Sequence, residues 1–238
     1  MNNDETFHMT WKLNRINIVC GVIGLLGIGQ FAGSVVHAIG IYPGGYDIAN
    51  HFLSDLGRTR TLAGADNADC ASLFNWSLIL LGTSLIPFFV VMSLSLDEGR
   101  AVSCVSGVLS ACGLVGIGST PYDRYILEHV ASLGLWLVST LLMVAVFLVY
   151  SRLNRIASLT LAVATLFVFG AAWKYVAAGS HNGHVVFQKI LAVFAIVWFG
   201  IVFMIVSVST IHSIASRHRT EEELARRYIR TIERGHRR

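Results

Sequence analysis

The sequence predicts an all-α integral membrane protein, built as a six-transmembrane helix bundle, on three observations. Of its 238 residues 54% are hydrophobic and only 13% charged, with a mean hydropathy of +0.63. A soluble domain carries roughly a quarter charged residues to cover its water-facing surface, so too little charge is present here. The apolar residues also gather into six runs, each near the roughly twenty residues that a helix needs to cross a bilayer. Finally, the basic residues are spread unevenly about those runs, as they are in proteins oriented by a membrane.

Span one is read over Ile16 to Ile41, where Gly21, Gly24, Gly29 and Gly33 suit close helix packing. The fifteen residues before it are polar, and the run itself is too long for a signal-peptide core, so it is expected to be retained. Tyr42-Pro43-Gly44-Gly45 breaks the helix, and a loop follows to Phe74, where span two begins and runs to Leu96. Asp97-Glu98-Gly99-Arg100 turns into span three, Ala101 to Gly118, built almost wholly from Gly, Ala, Ser, Cys and Val. Such small residues let backbones approach, which predicts a central place in the bundle.

Thr120-Pro121-Tyr122-Asp123 reads as a helix start, with Thr120 as N-cap, Pro121 in the first helical position and Asp123 at the positive end of the dipole. Span four then reaches Tyr150, placing His129 about two turns inside it. Span five is expected over Ile156 to Ala178 and span six over Val186 to Ile211, after the turn Ser151-Arg152-Leu153-Asn154-Arg155.

Orientation follows from lysine and arginine. Lys12, Arg15, Arg100, Arg152, Arg155 and all eight tail arginines fall on one side; Arg58, Arg60, Arg124, Lys174 and Lys189 fall on or near the other. That asymmetry places both ends inside: residues 1–15 as a cytoplasmic N-terminus, 16–211 as the transmembrane domain and 212–238 as a basic cytoplasmic tail. In the tail, Thr220-Glu221-Glu222-Glu223 forms a capping box, and Leu224, Tyr228 and Ile232 make a narrow apolar stripe. The expectation is an amphipathic helix against anionic inner-leaflet lipid. The net charge of +4 therefore points to membrane lipid and not to nucleic acid. Cys20, Cys104 and Cys112 lie in apolar runs and only Cys70 is placed in a loop, so no disulfide framework is implied.

The unusual polar residues gather toward the extracytoplasmic side: His37, His51, Ser54, Asp55, Asp123, Arg124, His129, His181, His184 and Gln188. Ionisable groups at membrane depth are costly and normally face a cavity or one another. The segment from Asp47 to Gly57 reads as one short helix in the first extracytoplasmic loop, on which His51, Ser54 and Asp55 share a face. A loop helix folded over the bundle's mouth, above a polar pocket lined by His51, Ser54, Asp55, Asp123 and His129, is the expected site.

Several chemistries fit those residue types. Histidines with a carboxylate can hold zinc and leave a position open for water, so His51, His129, His181, His184 and Asp55 form a candidate metal set for an intramembrane hydrolase. A Ser54–His51–Asp55 nucleophilic set is poor geometry, because three members on one helical turn leave the base unable to reach outward. A structural reading has Asp55 pairing with Arg58 or Arg124 and His129 bonding a loop carbonyl. Ion-coupled transport is disfavoured by the lack of acidic residues at mid-depth.

The run His51-Phe52-Leu53-Ser54-Asp55-Leu56-Gly57, then Phe74-Asn75, then Pro121-x-Asp123 followed by His129, resembles a prokaryotic membrane family described as domain of unknown function 998. More distantly, the layout is similar to the eukaryotic FRAG/DRAM/Sfk group of six-span proteins tied to lipid remodelling and autophagy. The resemblance implies a fold, a topology and a prokaryotic cytoplasmic membrane. It implies no reaction, and Ser54, Asp55, Pro121, Asp123 and His129 carry over as motif positions without roles; the His181/His184 pair and the tail lie outside it. The leading expectation is a protein that binds or handles a lipid or small amphiphile at the outer leaflet, whether or not a reaction follows. A zinc-dependent hydrolase is the runner-up, and a structural membrane protein the third reading.

Overall fold

In the computed structural model, residues 3–94, 96, 98–150 and 184–201 are described, with side chains from residue 16 onward. The expected span five, the cytoplasmic tail and His181 lie outside the described residues. Five helices among those described are long and apolar enough to cross a membrane: Ile16–Ile41 within α1 (Asn3–Ile41), α2 (Ala68–Leu94), α3 (Arg100–Ser119), α4 (Ile126–Tyr150) and α5 (His184–Ile201). Their outer faces carry large exposed apolar side chains such as Leu26, Val36, Leu127, Val138 and Val149. That inverts the pattern of a water-soluble surface and is what lipid requires of it.

Consecutive helices are neighbours: α1 packs on α2, α2 on α3 and α3 on α4, as short connections favour. The small residues of α3 bring these backbones together. An added Cβ at Gly113 would sit 2.6 Å from the backbone nitrogen of Trp136 on α4, and one at Gly107 would sit 2.6 Å from Phe89 on α2. Ser110 and Thr140 join α3 to α4 through their hydroxyls at 2.7 Å, and Gln30 on α1 donates to the Ser77 carbonyl on α2 at 2.8 Å. The α5 helix adds aromatic packing, with Phe199 against Phe89 at 5.3 Å and Trp198 against Phe147 at 6.0 Å.

The glycines of α1 divide in a way their spacing alone does not show. Gly21, Gly24 and Gly27 are buried with Phe31 and Ala38 on one stripe, and a Cβ at Gly24 would touch Phe88. Gly29 and Gly33, expected to serve packing as well, face open space. Steps of three and four residues from Gly21 select one face, and 29 and 33 fall off it.

Two boundaries are corrected. The second span was expected from Phe74, but α2 begins at Ala68, with the Asn67 carbonyl accepting the Ala71 N–H at 2.9 Å. Cys70 is therefore a buried helical residue and not a loop residue. The fourth span was expected from Pro121, but Pro121 to Tyr125 forms a turn, with Arg124 and Tyr125 N–H groups on the Pro121 carbonyl, and α4 opens at Ile126. Thr120 does not cap it, since its hydroxyl bonds back to the Gly116 carbonyl of α3 at 2.7 Å.

Candidate functional site

The loop between α1 and α2 leaves the first helix through Pro43, Gly44 and Gly45, whose glycines hold φ of 81° and 87°, a region closed to most side chains. The segment expected to be one helix from Asp47 to Gly57 is instead a turn followed by a short 3-10 helix, Leu53–Gly57. Phe52 between them is extended, with φ −65° and ψ 152°. Two carboxylates divide the segment by capping separate turns. Asp47 accepts the Ala49 and Asn50 N–H groups at 2.8 and 3.3 Å, while Asp55 turns back to accept the Phe52 N–H at 2.7 Å. Each satisfies backbone donors locally, which competes with a continuous helix.

His51 and Asp55 consequently do not form a pair. The His51 Nδ1 accepts the Asp47 N–H at 3.2 Å, and its ring packs among Tyr42 and Tyr46. Asp55 is buried and lies 3.7 Å from Arg58, whose guanidinium sits over the Tyr122 ring. Tyr122 in turn meets His129 edge-on at 5.5 Å, and the His129 Nδ1 lies 2.6 Å from the Thr120 carbonyl. His129 is the fourth residue of α4, one turn shallower than expected.

Asp123 serves the loop and not the dipole of α4. Its carboxylate accepts the Thr59 N–H at 3.0 Å, the Thr59 hydroxyl at 2.6 Å and the Arg60 N–H at 3.1 Å. Burial works to raise the Asp123 carboxyl, but these hydrogen bonds outweigh it and hold the group below its ordinary value. Asp47 is also held low, by the Asn50 side-chain amide first and the Ala49 N–H second.

The opening of α2 anchors the 3-10 helix from the other side. Asn67 donates to the Leu56 and Arg58 carbonyls at 3.3 and 2.8 Å, and Asn75 donates to the Gly57 carbonyl at 3.0 Å. The Cys70 thiol lies 3.4 Å from the Leu56 carbonyl. From α5, Gln188 accepts the Leu53 N–H at 2.8 Å and reaches Ser54 at 3.4 Å, while Lys189 donates to the Ile48 carbonyl. Asn67 escaped the sequence reading, because nothing in its neighbourhood distinguishes an amide that binds loop carbonyls from one in solvent.

Beneath this lid lies a partly open cavity of about 80 Å³. Of the five residues expected to line a polar pocket, only Ser54 and His129 line it, joined by Gln188. The other described lining residues are apolar apart from the indole N–H of Trp136, from Leu53 at the loop end to Ile28, Leu85 and Phe199 deeper in the bundle. His51, Asp55 and Asp123 belong to the lid and its fastenings. His184 is exposed at the first residue of α5. Among the described residues no three histidine, cysteine or acidic side chains are grouped to hold a metal ion, and the candidate zinc set is not brought together by those of its members that are described.

Comparison with protein-family models, with characterised proteins and with solved structures finds no match to this chain.

Proposed function

We propose that this protein is a six-span membrane protein with both ends in the cytoplasm, which binds a lipid or small amphiphile in the cavity beneath its extracytoplasmic lid. The observation that carries this is the cavity's polarity gradient. Its polar groups sit together at the loop end, on the 3-10 helix, the first turn of α4 and the second turn of α5, and the deeper described lining residues are apolar apart from the indole N–H of Trp136. Gln188 and Phe199 are separated by about 16 Å at the helical rise of 1.5 Å per residue, so the cavity follows α5 through about half of a 30 Å hydrocarbon core.

In this reading the residues of the short motifs act mainly as fastenings. Asp55, Arg58, Tyr122 and Asp123 tie the first loop to the turn before α4, while Leu53, Ser54, Phe74 and His129 line the cavity. The likeness to a six-span prokaryotic family and its cytoplasmic-membrane location belong to the same proposal.

The test is lipid analysis of protein extracted with its surrounding membrane in polymer nanodiscs. Ala192 lines the cavity, and Ala192→Phe should fill it. The expected result is a lipid species enriched with the wild-type protein and lost from an equally stable Ala192→Phe variant. Identical lipid content in the two would favour the reading of a purely structural bundle, which the saturated contacts of Asp55 and Asp123 also suit.

A further inference from the structure

We infer that the amphiphile taken by this cavity carries an uncharged head group with a hydroxyl or carbonyl, as a monoacylglycerol or long-chain alcohol does, and not a phosphate, carboxylate or amine. The inference rests on the cavity reading above and narrows it to a ligand chemistry. Among the described residues, neither an acidic side chain nor a lysine or arginine lines the cavity. Of the charges next to its lining residues in sequence, Asp55 is committed to the Phe52 N–H and Arg58, Lys189 to the Ile48 carbonyl and the Tyr46 ring, and Glu128 is exposed on α4. A charged head would therefore be stripped of water with no opposite charge among the described lining residues to pair it, which is a costly way to bury an ion.

The polar groups that do line the cavity suit a neutral head capable of both donating and accepting. Thr120 offers only a carbonyl to His129, so Nδ1 carries the proton in that 2.6 Å bond, and Nε2 of a neutral ring is an acceptor. Gln188 spends its oxygen on the Leu53 N–H, leaving its amide N–H groups as donors, one of them toward Ser54. The Ser54 hydroxyl can donate in turn. Trp136, also in the wall, has a buried indole N–H without a hydrogen-bond partner. A ligand hydroxyl can donate to the imidazole and accept from the amide. A carboxylate would meet only neutral donors there and an ammonium only a neutral ring nitrogen, neither of which offsets the hydration an ion loses. A charged imidazolium would itself lack a carboxylate partner among the lining residues.

The experiment uses the full chain in nanodiscs and three dibrominated probes sharing one acyl chain: its monoglyceride, its free acid at pH 8 and its primary amine. Bromine quenches tryptophan fluorescence at contact. The chain has five tryptophans, so the signal is the saturable quenching that disappears in Trp136→Phe. The expected result is saturable quenching by the monoglyceride, lost in Ala192→Phe, with the acid and amine weaker by about tenfold or more. Gln188→Met, which keeps the side chain's length without its donors, should weaken the monoglyceride alone. Acid or amine binding as tightly as the monoglyceride would overturn the uncharged-head inference while leaving an amphiphile site in place. Absence of saturable quenching by all three probes would overturn both.

Discussion

The Asp123 carboxylate, in the turn before α4, holds the backbone of Thr59, a residue 64 positions away, with both oxygens 3.0 Å from its N–H and Oδ2 2.6 Å from its hydroxyl. One side chain thus closes the lid onto the far side of the bundle. Hydrogen bonds to a charged partner contribute about 1.5–3 kcal/mol each where solvent is excluded, and the partial exposure of this site lowers that figure. Asp123→Ala should cost about 1–2 kcal/mol and Thr59→Val about half as much. Thermal melts in detergent would check this, and an Asp123→Ala protein as stable as wild type would refute the fastening.

Acid should open the same contact. The Asp123 carboxyl is held below its ordinary value of 3.8, so its ionised form is favoured by folding. A depressed carboxyl contributes stability that is complete above the unfolded value and is lost as pH falls through the folded one. Melting temperature should hence be flat from neutral pH down to about 5 and fall below about 4. Asp123→Asn should flatten part of that acid limb, and an unchanged pH profile in the variant would count against the assignment.

Asp55 is the buried member of the network, capping Phe52 while pairing with Arg58. Asp55→Ala should destabilise by about 2 kcal/mol, because it leaves a donor and a guanidinium without their acceptor. His51, outside the cavity and toward solvent, should tolerate alanine within about 1 kcal/mol. Equal losses in the two variants would contradict the different positions given to them.

Helix packing yields a paired test. Gly113→Ala places a Cβ 2.6 Å from the Trp136 backbone and should cost about 1–3 kcal/mol, even though alanine is the better helix former by about 1 kcal/mol. Gly29→Ala meets open space and should be neutral or slightly stabilising. Reversal of that order in melting temperature would mean that α3 and α4 are not in close contact.

Ser110 and Thr140 bridge the same two helices at 2.7 Å. A double-mutant cycle with Ser110→Ala and Thr140→Val should return a coupling of about 0.6 kcal/mol, the usual worth of such a bond between membrane helices. A coupling indistinguishable from zero would indicate that water or other partners replace it freely.

What was legible in the sequence follows from one physical fact. A bilayer demands long apolar helices regardless of what they pack against, so composition and run length alone delivered the helical class and placed α1's end at Ile41 and α3 within a residue of its observed bounds. The small-residue content of span three likewise foretold close packing, since only Gly, Ala and Ser let backbones meet. The loops were less legible. A run such as Asp47 to Gly57 has helical spacing, yet its two carboxylates find N–H groups at two separate turns, and local hydrogen bonding then overrides periodicity.

The candidate site was legible in its residue types and not in its arrangement. Ser54, Asp55, Asp123, His129 and Gln188 of the polar layer named in the sequence do meet around the lid, but which of them face a cavity depends on partners far away in the chain. Asp123 is read from sequence as an acid at the positive end of a helix dipole until Thr59 stands beside it, and Asn67 and Asn75 have no role until Leu56, Gly57 and Arg58 turn their carbonyls toward them. Gln188 became a site residue only because α5 brings it against Leu53, 135 positions away. The sequence by itself determined that helices long enough for a membrane would form and where polar side chains would be too costly to leave unpaired. Tertiary structure alone decided which of them pair with backbone to hold the lid and which are left facing an apolar cavity, because hydrogen-bond partners are chosen by proximity in space.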